Sequence, residues 1–415
     1  MTTSSSKANE SPAEAFNRAM GMGRIRDPYP HWAELCRQGP VHRIDLSQST
    51  PPYVRPGEDP SGFMIVGYAL AAEVLRDPMR FPSSKYQETT DAVIGKNILA
   101  MDPPEHTRYR AMVQQGFTRK ALTRWEREVM LPVTHEYIDR FAERGRAELV
   151  HDLTFQLPAH VVARLFGFSF SERELERFQE LSIELQTVLF DFERGVRASQ
   201  ELTQMFLPAL AAHRASPCDD LLGLLLDAEL DGDRLDEEEI LGFMRLLLPA
   251  GLETTYRALS NTLFGLLTHP AQLEALRRDP LLMERALEEG LRWEPPMTTS
   301  LRFAAEDIEL AGQRIPAGSK ILVNLGAANR DPSRFERPEE FDLFRRPQRH
   351  LTFGFGPHRC LGLEIAMMEM RTAIACLLAR LPELRLDPDA HDVHITGEGF
   401  RAPLELPVLF GKPTH

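Results

Sequence analysis

The chain has 415 residues, of which 43% are hydrophobic, and its formal net charge is -13. An acidic chain is unsuited to the phosphate backbone of nucleic acids, so we expect no nucleic-acid partner. It contains no run of roughly eighteen or more apolar residues, and its start lacks the apolar core of a signal peptide, so we expect no membrane association and a cytoplasmic location.

One folded unit is predicted for most of the chain. The start is rich in Ser and Thr, which predicts a flexible tail over residues 1–25. Helical periodicity then continues almost to the end, without a linker or an internal repeat. Short apolar runs, such as residues 63–66 and Lys320–Asn324, predict β-strands. We therefore expect a mostly α-helical fold with small β-sheets (α+β) in a single domain over residues 26–415.

The first segment with chemical character is residues 101–110, Met-Asp-Pro-Pro-Glu-His-Thr-Arg-Tyr-Arg. Proline after Asp102 favours the start of a helix, on which His106 and Arg110 lie four residues apart on one face. Donor and cationic side chains placed in this way suit a ligand that carries carboxylates.

A long apolar helix is predicted from about residue 238 to residue 267, after an acidic run that we interpret as a solvated loop. Its centre reads Leu-Pro-Ala-Gly-Leu-Glu-Thr-Thr at residues 248–255. Glycine lowers helix propensity and threonine bonds back to the preceding turn, so this centre is costly in a helix. Such costs mark functional sites, although a kinked core helix with a glycine for close packing gives the same pattern.

A second helical stretch contains Glu289 and Arg292 and ends at two prolines. Residues three apart share a helix face, so this acid and this base can pair and reach the same partner. Most such pairs are solvated surface bridges, and the spacing alone does not distinguish a buried pair from an exposed one.

The most informative segment is residues 353–362, Phe-Gly-Phe-Gly-Pro-His-Arg-Cys-Leu-Gly, which precedes another helical pattern. Glycine permits tight turns and close approach to a flat cofactor, and free amides at the helix start can stabilise a thiolate. We interpret Cys360 as an axial thiolate ligand of haem iron, in preference to a structural cysteine beside a turn. The other cysteines, at positions 36, 218 and 376, have no paired spacing, which argues against a zinc site or disulfides.

Together these segments resemble the cytochrome P-450 family of haem-thiolate monooxygenases, from about residue 27 onward. The resemblance implies haem b (iron protoporphyrin IX) between the long central helix and the helix after the Cys loop, with O2 as co-substrate. Cys360 would be the metal ligand. The other haem contacts that the resemblance implies are His106, Arg110, Ala250, Gly251, Arg302, Phe353, Gly354, His358 and Gly362.

The resemblance also implies roles in catalysis and stability. Ala250 and Gly251 would leave room for dioxygen, while Thr254 and Glu253 would relay protons, since a hydroxyl both donates and accepts and a carboxyl recharges it from water. Glu289 and Arg292 would form a buried pair that locks the Cys loop. Family members often add an arginine from a Pro-Glu-Arg-Phe segment. Residues 338–341 here read Pro-Glu-Glu-Phe, so Arg345 and His350 both remain candidates for the third partner.

The function implied is insertion of one atom of O2 into a hydrophobic small molecule by a monomeric enzyme. The chain ends shortly after the haem segment, so we expect electrons to come from NAD(P)H indirectly, through ferredoxin and ferredoxin reductase. Arg119, Lys120 and Arg359 would lie near the proximal haem face and attract an acidic ferredoxin.

Two alternative functions differ from this interpretation. A peroxygenase of the same fold would use hydrogen peroxide directly, and its members typically lack the acid-alcohol pair that Glu253 and Thr254 supply here. A non-catalytic haem sensor would not need that pair either. No charged residue stands out as a substrate anchor, and the pocket candidates are mainly apolar: Ile94, Ile98, Leu99, Leu247, Met297, Thr298 and Phe400.

Overall fold

The computed structural model describes residues 11–54 and 57–412. The helices of these residues are α1 Pro12–Ala19, α2 Tyr29–Gln38, α3 Tyr68–Arg76, α4 Gln87–Thr90, α5 Glu105–Val113, α6 Arg119–Trp125, α7 Leu131–Asp139, α8 Leu157–Leu165, α9 Glu172–Gln186, α10 Phe192–Ala215, α11 Leu221–Asp227, α12 Glu237–Thr268, α13 Pro270–Arg278, α14 Met283–Trp293, α15 Leu325–Asn329 and α16 Leu363–Arg380.

The strands of the described residues are short. They are β1 Val41–Asp45, β2 Ser61–Ile65, β3 Arg146–Glu148, β4 Glu229–Leu230, β5 Asp233–Arg234, β6 Thr299–Phe303, β7 Ile308–Leu310, β8 Gln313–Ile315, β9 Lys320–Asn324, β10 Arg385–Leu386, β11 Ile395–Thr396, β12 Ala402–Pro403 and β13 Pro407–Leu409. The predicted mostly α-helical fold with small β-sheets is confirmed.

The long helix α12 is the centre of the helical core. It begins with a capping box, in which Asp236 accepts from the backbone N–H of Glu239 and Glu239 accepts from that of Asp236. It extends for 32 residues and packs against α8, α9, α14 and α16. The predicted helix, from about residue 238 to residue 267, is therefore present with nearly the predicted bounds.

The largest sheet joins distant parts of the chain in the order β1-β2-β9-β6. Strands β2 and β9 pair in parallel, with Phe63 opposite Ile321, while β1 and β6 pair antiparallel on either side. Both apolar runs that predicted strands thus belong to one sheet, which lies against a separate apolar cluster around Phe81 and Leu351.

The N-terminal segment requires a correction. We predicted a flexible tail over residues 1–25, but α1 is fixed by a capping box between Ser11 and Glu14, and Phe16 and Met20 are buried against α9 and α12 residues. Apolar burial of these side chains explains why residues 11–25 are part of the fold. Residues 1–10 lie outside the described residues.

In the described residues, no helix combines the length and the apolar content that crossing a bilayer requires.

Helix α16, which follows the Cys loop, carries a carboxyl group in its buried face. Glu369 is 2% exposed, and its Oε1 has no hydrogen-bond partner among the described residues. Burial raises the pKa of Glu369 to about 8, because no nearby cation stabilises the charged form. Glu369 is thus protonated at neutral pH.

We expect Glu369→Gln to stabilise the holoprotein relative to wild type, and more at pH 8 than at about pH 5.5. The folded pKa is raised above the ordinary 4.5, so wild type loses stability as pH rises between these values, whereas glutamine does not ionise. The advantage of Glu369→Gln over wild type in the free energy of unfolding grows by at most about 3 kcal/mol between the two pH values. Thermal unfolding of wild type, Glu369→Gln and the exposed control Glu364→Gln measures it. A difference between wild type and Glu369→Gln that does not vary with pH contradicts the prediction.

Candidate active site

The Cys loop is a tight turn whose shape depends on two glycines. Gly354 and Gly356 have φ values of 70° and 74°, in the left-handed region. A Cβ on Gly356 would lie 2.6 Å from the carbonyl oxygen of Leu75 in α3, so a larger residue would also collide. The backbone N–H of Cys360 donates to the carbonyl of Phe353 at 2.8 Å and closes the loop.

The sulfur of Cys360 lies at the start of α16, where backbone amides are free. The N–H groups of Gly362 and Leu363 donate to it, and Arg110 and Arg359 add positive charge. Cys360 is accessible, yet desolvation by the surrounding protein raises the pKa of its thiol against these stabilising groups. A Cβ on Gly362 would contact nothing within 4 Å, so the loop also leaves room beside the sulfur.

The pair of Glu289 and Arg292 is buried, with side chains 5% and 2% exposed. Arg292 uses all its N–H groups: Nε and Nη2 bind the two carboxylate oxygens of Glu289 at 2.7 Å. Its remaining hydrogen bonds reach the carbonyls of Asn329, Pro338 and Glu340 at 2.8 to 3.1 Å. A guanidinium satisfied in this way fixes the segments that contribute those carbonyls.

The same pair has a third partner, which the sequence left open between Arg345 and His350. Nε of Arg345 lies 3.1 Å from Oε1 of Glu289. Nε2 of His350 lies 3.3 Å from Glu288 instead. Arg345 is therefore the additional cation at Glu289.

Asn329 connects this pair to the Cys loop. Its carbonyl accepts from Arg292, its Oδ1 accepts from the backbone N–H of Leu351 at 2.7 Å, and its Nδ2 donates to the hydroxyl of Thr352 at 2.8 Å. Leu351 and Thr352 directly precede Phe353. The residues of α14 thus hold the entry to the Cys loop through Asn329, and also directly, since the hydroxyl of Thr352 donates to the carbonyl of Leu291 at 2.7 Å.

Four donor or cationic side chains predicted to bind carboxylates form one cluster. The rings of His106 and His358 lie 4.2 Å apart between centroids. Both ring nitrogens of His106, which is 1% exposed, and Nε2 of His358 have no hydrogen-bond partner among the described residues. Burial, with His358 and Arg110 nearby, lowers the pKa of His106 to about 4. Burial also lowers the pKa of Arg110 and of Arg302.

These unpaired donors fit the two propionates of haem, because an anionic group would both satisfy the histidines and stabilise the buried arginines. Asp102, which the sequence did not single out, lies 3.9 Å from His358 and accepts from the backbone N–H groups of Ser83 and Ser84 at 2.9 Å. Although burial opposes it, these contacts hold the pKa of Asp102 well below its usual range, so it is a carboxylate whose charge faces the ring of His358.

At the centre of α12, four residues that are not fully buried share one helix face: Leu247, Ala250, Gly251 and Thr254. The hydroxyl of Thr254 donates to the carbonyl of Ala250 at 2.7 Å. Glu253, in contrast, is buried beside Arg257, whose Nη2 lies 2.9 Å from its Oε2. The sequence interpretation missed Arg257, although its spacing of four from an acid was the signal for a pair.

The substrate-pocket candidates differ in how open they are. Ile94 and Ile98 are each 8% exposed in the main core, whereas Leu99 is 37% exposed. Met297 and Phe400 face each other across an isolated β-bridge. Thr298 is fully buried, and its hydroxyl donates to the carbonyls of Glu398 and Gly399, which corrects its assignment to the pocket lining.

A second group of potential ligand atoms lies outside this site. His213, Cys218 and Asp220 have donor atoms within 4.8 Å of one another. However, Nε2 of His213 is already 2.7 Å and 2.8 Å from the carboxylate oxygens of Asp220, which also caps α11. These contacts describe a hydrogen-bonded pair at a helix start.

The cysteine held by helix-terminal amides, the buried Glu-Arg pair behind its loop and the unpaired donors beside it are typical of a haem-thiolate enzyme. Comparison with known proteins agrees. The family model described as Cytochrome P-450 matches residues 52–396, and the chain therefore belongs to the cytochrome P-450 family, whose members use haem and O2 as monooxygenases.

Relatives cover nearly the whole chain. It is similar to the cytochrome P-450 monooxygenase PikC of Streptomyces venezuelae, with 36% identity over 89% of this chain and 87% of PikC. It is 34% identical to 6-deoxyerythronolide B hydroxylase of Saccharopolyspora erythraea, over 88% of this chain and 92% of that enzyme. The crystal structure of CYP109E1 from Bacillus megaterium with testosterone has a TM-score of 0.80 and 30% identity, over 93% of this chain and 99% of that one.

We expect Arg345→Ala to destabilise the holoprotein by about 2–4 kcal/mol and to speed haem release, because a buried carboxylate loses one of its cations. Thermal unfolding and transfer of haem to apomyoglobin measure both effects. The matched control is Arg346→Ala, which removes an exposed neighbour. Equal stability of the two variants would show that Arg345 does not stabilise Glu289.

Proposed function

We propose that this chain inserts one atom of O2 into a hydrophobic small molecule, chiefly at a C–H bond, using electrons from a separate ferredoxin and its reductase. In the overall reaction the second oxygen atom leaves as water, and the substrate gains a hydroxyl. NAD(P)H supplies two electrons through the partners, and solvent supplies the remaining proton. The observation that carries the proposal is the Cys360 sulfur bound by the amides of Gly362 and Leu363.

Bound haem would supply the redox chemistry, with the thiolate increasing electron density on the iron. The side chains that we assign to it are Cys360 for the iron and His106, Arg110, Arg302 and His358 for the propionates. Phe353, Gly354 and Gly362 border the cysteine loop, and Ala250 and Gly251 leave the centre of α12 without bulky side chains.

Protons would pass through Glu253 and Thr254. The Thr254 hydroxyl donates to Ala250 and keeps its lone pairs for accepting a proton donor, so a rotation of its O–H bond turns it into a donor toward the cleft. Hydrogen bonds of the described residues engage only Oε2 of Glu253, which leaves Oε1 for proton exchange. An acid beside an alcohol on adjacent positions thus supports a short relay.

The substrate is proposed to be hydrophobic. The candidate lining is apolar at Ile94, Ile98, Leu99, Leu247, Met297 and Phe400. Support comes from the relatives, one named for hydroxylating 6-deoxyerythronolide B and one solved with testosterone, which are both large and mainly apolar molecules. Screening steroids, macrolactones and fatty acids for a low-to-high spin shift of the haem tests this class.

A separate electron donor is supported by local charge. Arg119 and Lys120 are exposed at the start of α6, and Arg359 is exposed beside Cys360. On a chain with a net charge of -13, these exposed cations depart from the average charge and suit an acidic protein.

Turnover with ferredoxin, reductase and NAD(P)H, compared with turnover with hydrogen peroxide, tests the choice of oxidant. Product formation only with the partner proteins supports the monooxygenase, and equal product with peroxide alone supports a peroxygenase. The presence of Glu253 and Thr254 favours the first outcome. No product under either condition, with intact haem, would point to a non-catalytic haem protein.

We expect Cys360→Ala to abolish monooxygenation and to remove the red-shifted Soret band of the reduced carbon monoxide complex, because the thiolate is lost. The carbon monoxide difference spectrum measures this directly. Cys218→Ala, at an exposed cysteine far along the sequence, should keep the band. A band retained in Cys360→Ala would assign the axial ligand to another residue.

Charge reversal at Arg119 and Lys120 should slow reduction by ferredoxin, most visibly at low salt, because steering accelerates encounter and salt screens it. Substrate-induced spin shifts should stay unchanged. Stopped-flow reduction across a salt series measures the effect. Reversal of the exposed Arg24 and Arg173 changes net charge equally, so equal slowing there would contradict docking near α6.

A further inference from the structure

Arg257 is the most enclosed charged group of α12. Its side chain is 1% exposed and that of Glu253, one helical turn earlier, is 3% exposed. Nε and Nη2 of Arg257 both donate to Oε2 of Glu253, at 3.2 Å and 2.9 Å. The geometry therefore fixes one oxygen of the candidate relay acid.

The N-terminal segment holds the other side of this guanidinium. Nη2 of Arg257 donates to Oδ1 of Asn17 in α1 at 2.7 Å, and Nη1 lies 3.5 Å from the sulfur of Met22. The guanidinium carbon also lies 5.9 Å from the ring of Phe16 and 5.5 Å from that of Phe400. Two segments outside α12, the N-terminal segment and the turn that contains Phe400, thus contact Arg257 and determine its rotamer.

Charge explains why the contact matters for proton transfer. Burial raises the pKa of Glu253, while Arg257 opposes that rise. A relay acid must release and regain a proton near neutral pH, so its charged form has to be accessible. An ion pair removed from water adds little net stability, so the stability of the fold alone does not explain why this pair is buried.

The surroundings contain few other groups that titrate. Among the described residues, Tyr256 and Arg257 are the titratable groups that interact with Glu253. The segments packed against this part of α12 contribute Phe16, Asn17, Met22 and Phe400, none of which titrates. Arg257 is consequently the main electrostatic influence on Glu253.

We propose that Arg257 is a positioning residue for Glu253 and that Asn17 holds Arg257 in place, so that α1 at the N-terminus sets the state of the relay acid. This proposal deepens the proposed function and rests on the relay role of Glu253. Its central contact is nevertheless measurable without turnover.

The first experiment is infrared spectroscopy of the ferric holoprotein during a pH titration. The carboxyl stretching band of Glu253 is identified by its loss in Glu253→Gln, and the buried Glu369 is an internal reference in every variant. In Arg257→Met, we expect the midpoint of the Glu253 band to move up by about one to three pH units, because an opposite charge is removed. Arg257→Lys should restore part of the shift, and Asn17→Ala should shift the midpoint upward by less.

The second experiment measures O2-dependent NAD(P)H consumption with ferredoxin and reductase, without added substrate. Arg257→Met should lower the rate about tenfold, as Glu253→Gln does, because proton transfer slows. The double variant should lose little more, since both changes act through one carboxyl. Haem content and the carbon monoxide band should match wild type in each variant.

The two measurements separate the inference from the function it builds on. An unmoved Glu253 midpoint in Arg257→Met with an intact carbon monoxide band overturns the positioning role, even if Glu253→Gln slows consumption and the relay stands. If the Glu253 midpoint moves in Arg257→Met while Glu253→Gln consumes NAD(P)H at the wild-type rate, the positioning role of Arg257 is supported and the relay role of Glu253 is overturned. Where Arg257→Met does not fold, Arg257→Lys and Asn17→Ala decide, and unmoved midpoints in both overturn the proposal.

Discussion

The buried contact between Glu289 and Arg292 is the interaction on which the site depends. Through it, one helix holds the carbonyls of Asn329, Pro338 and Glu340 and, by way of Asn329, the residues that enter the Cys loop. A cysteine ligand is useful only if its sulfur is held in one position while substrate and partners come and go. The loop itself has few side chains to hold it, because glycines are needed for its turns. The rigidity of the Cys loop therefore comes from its contacts with α14, whose Glu289 is in turn paired with Arg345.

Buried charges recur where segments from distant parts of the chain meet. Glu294, at the end of α14, binds both Arg401 and Arg330, and Arg330 also lies 3.4 Å from the ring of Tyr29. Arg257 joins α12 to α1 in the same manner. Each guanidinium offers several donors in fixed directions, which makes it suited to joining three elements at once. The apolar core supplies most of the stabilisation, while these pairs specify which segments meet.

The sequence predicted the elements that follow local rules. Helix α12 carries its capping residues and its apolar pattern in one stretch, and the cysteine, its glycines and the Glu-Arg spacing are also local. Contacts that depend on the fold were not predictable in this way. Nothing local distinguishes Arg345 from His350, since the choice depends on which side of the segment faces Glu289. The burial of α1 was missed because a polar start resembles a solvated tail until Phe16 and Met20 find their partners.

The parallel pairing of β2 with β9 has a consequence for the order of assembly. Gly62 lies opposite Lys320 and Ile65 opposite Val323, so the largest sheet cannot close until most of the chain is available. Closing a loop of this length costs entropy that only the finished sheet repays, and non-local pairing of this kind slows folding. Gly356 of the Cys loop packs against α3, which directly follows β2. During synthesis the Cys loop and its contact with α3 are therefore among the last parts to form. Until then the apolar faces of the early segments, such as β2, stay exposed.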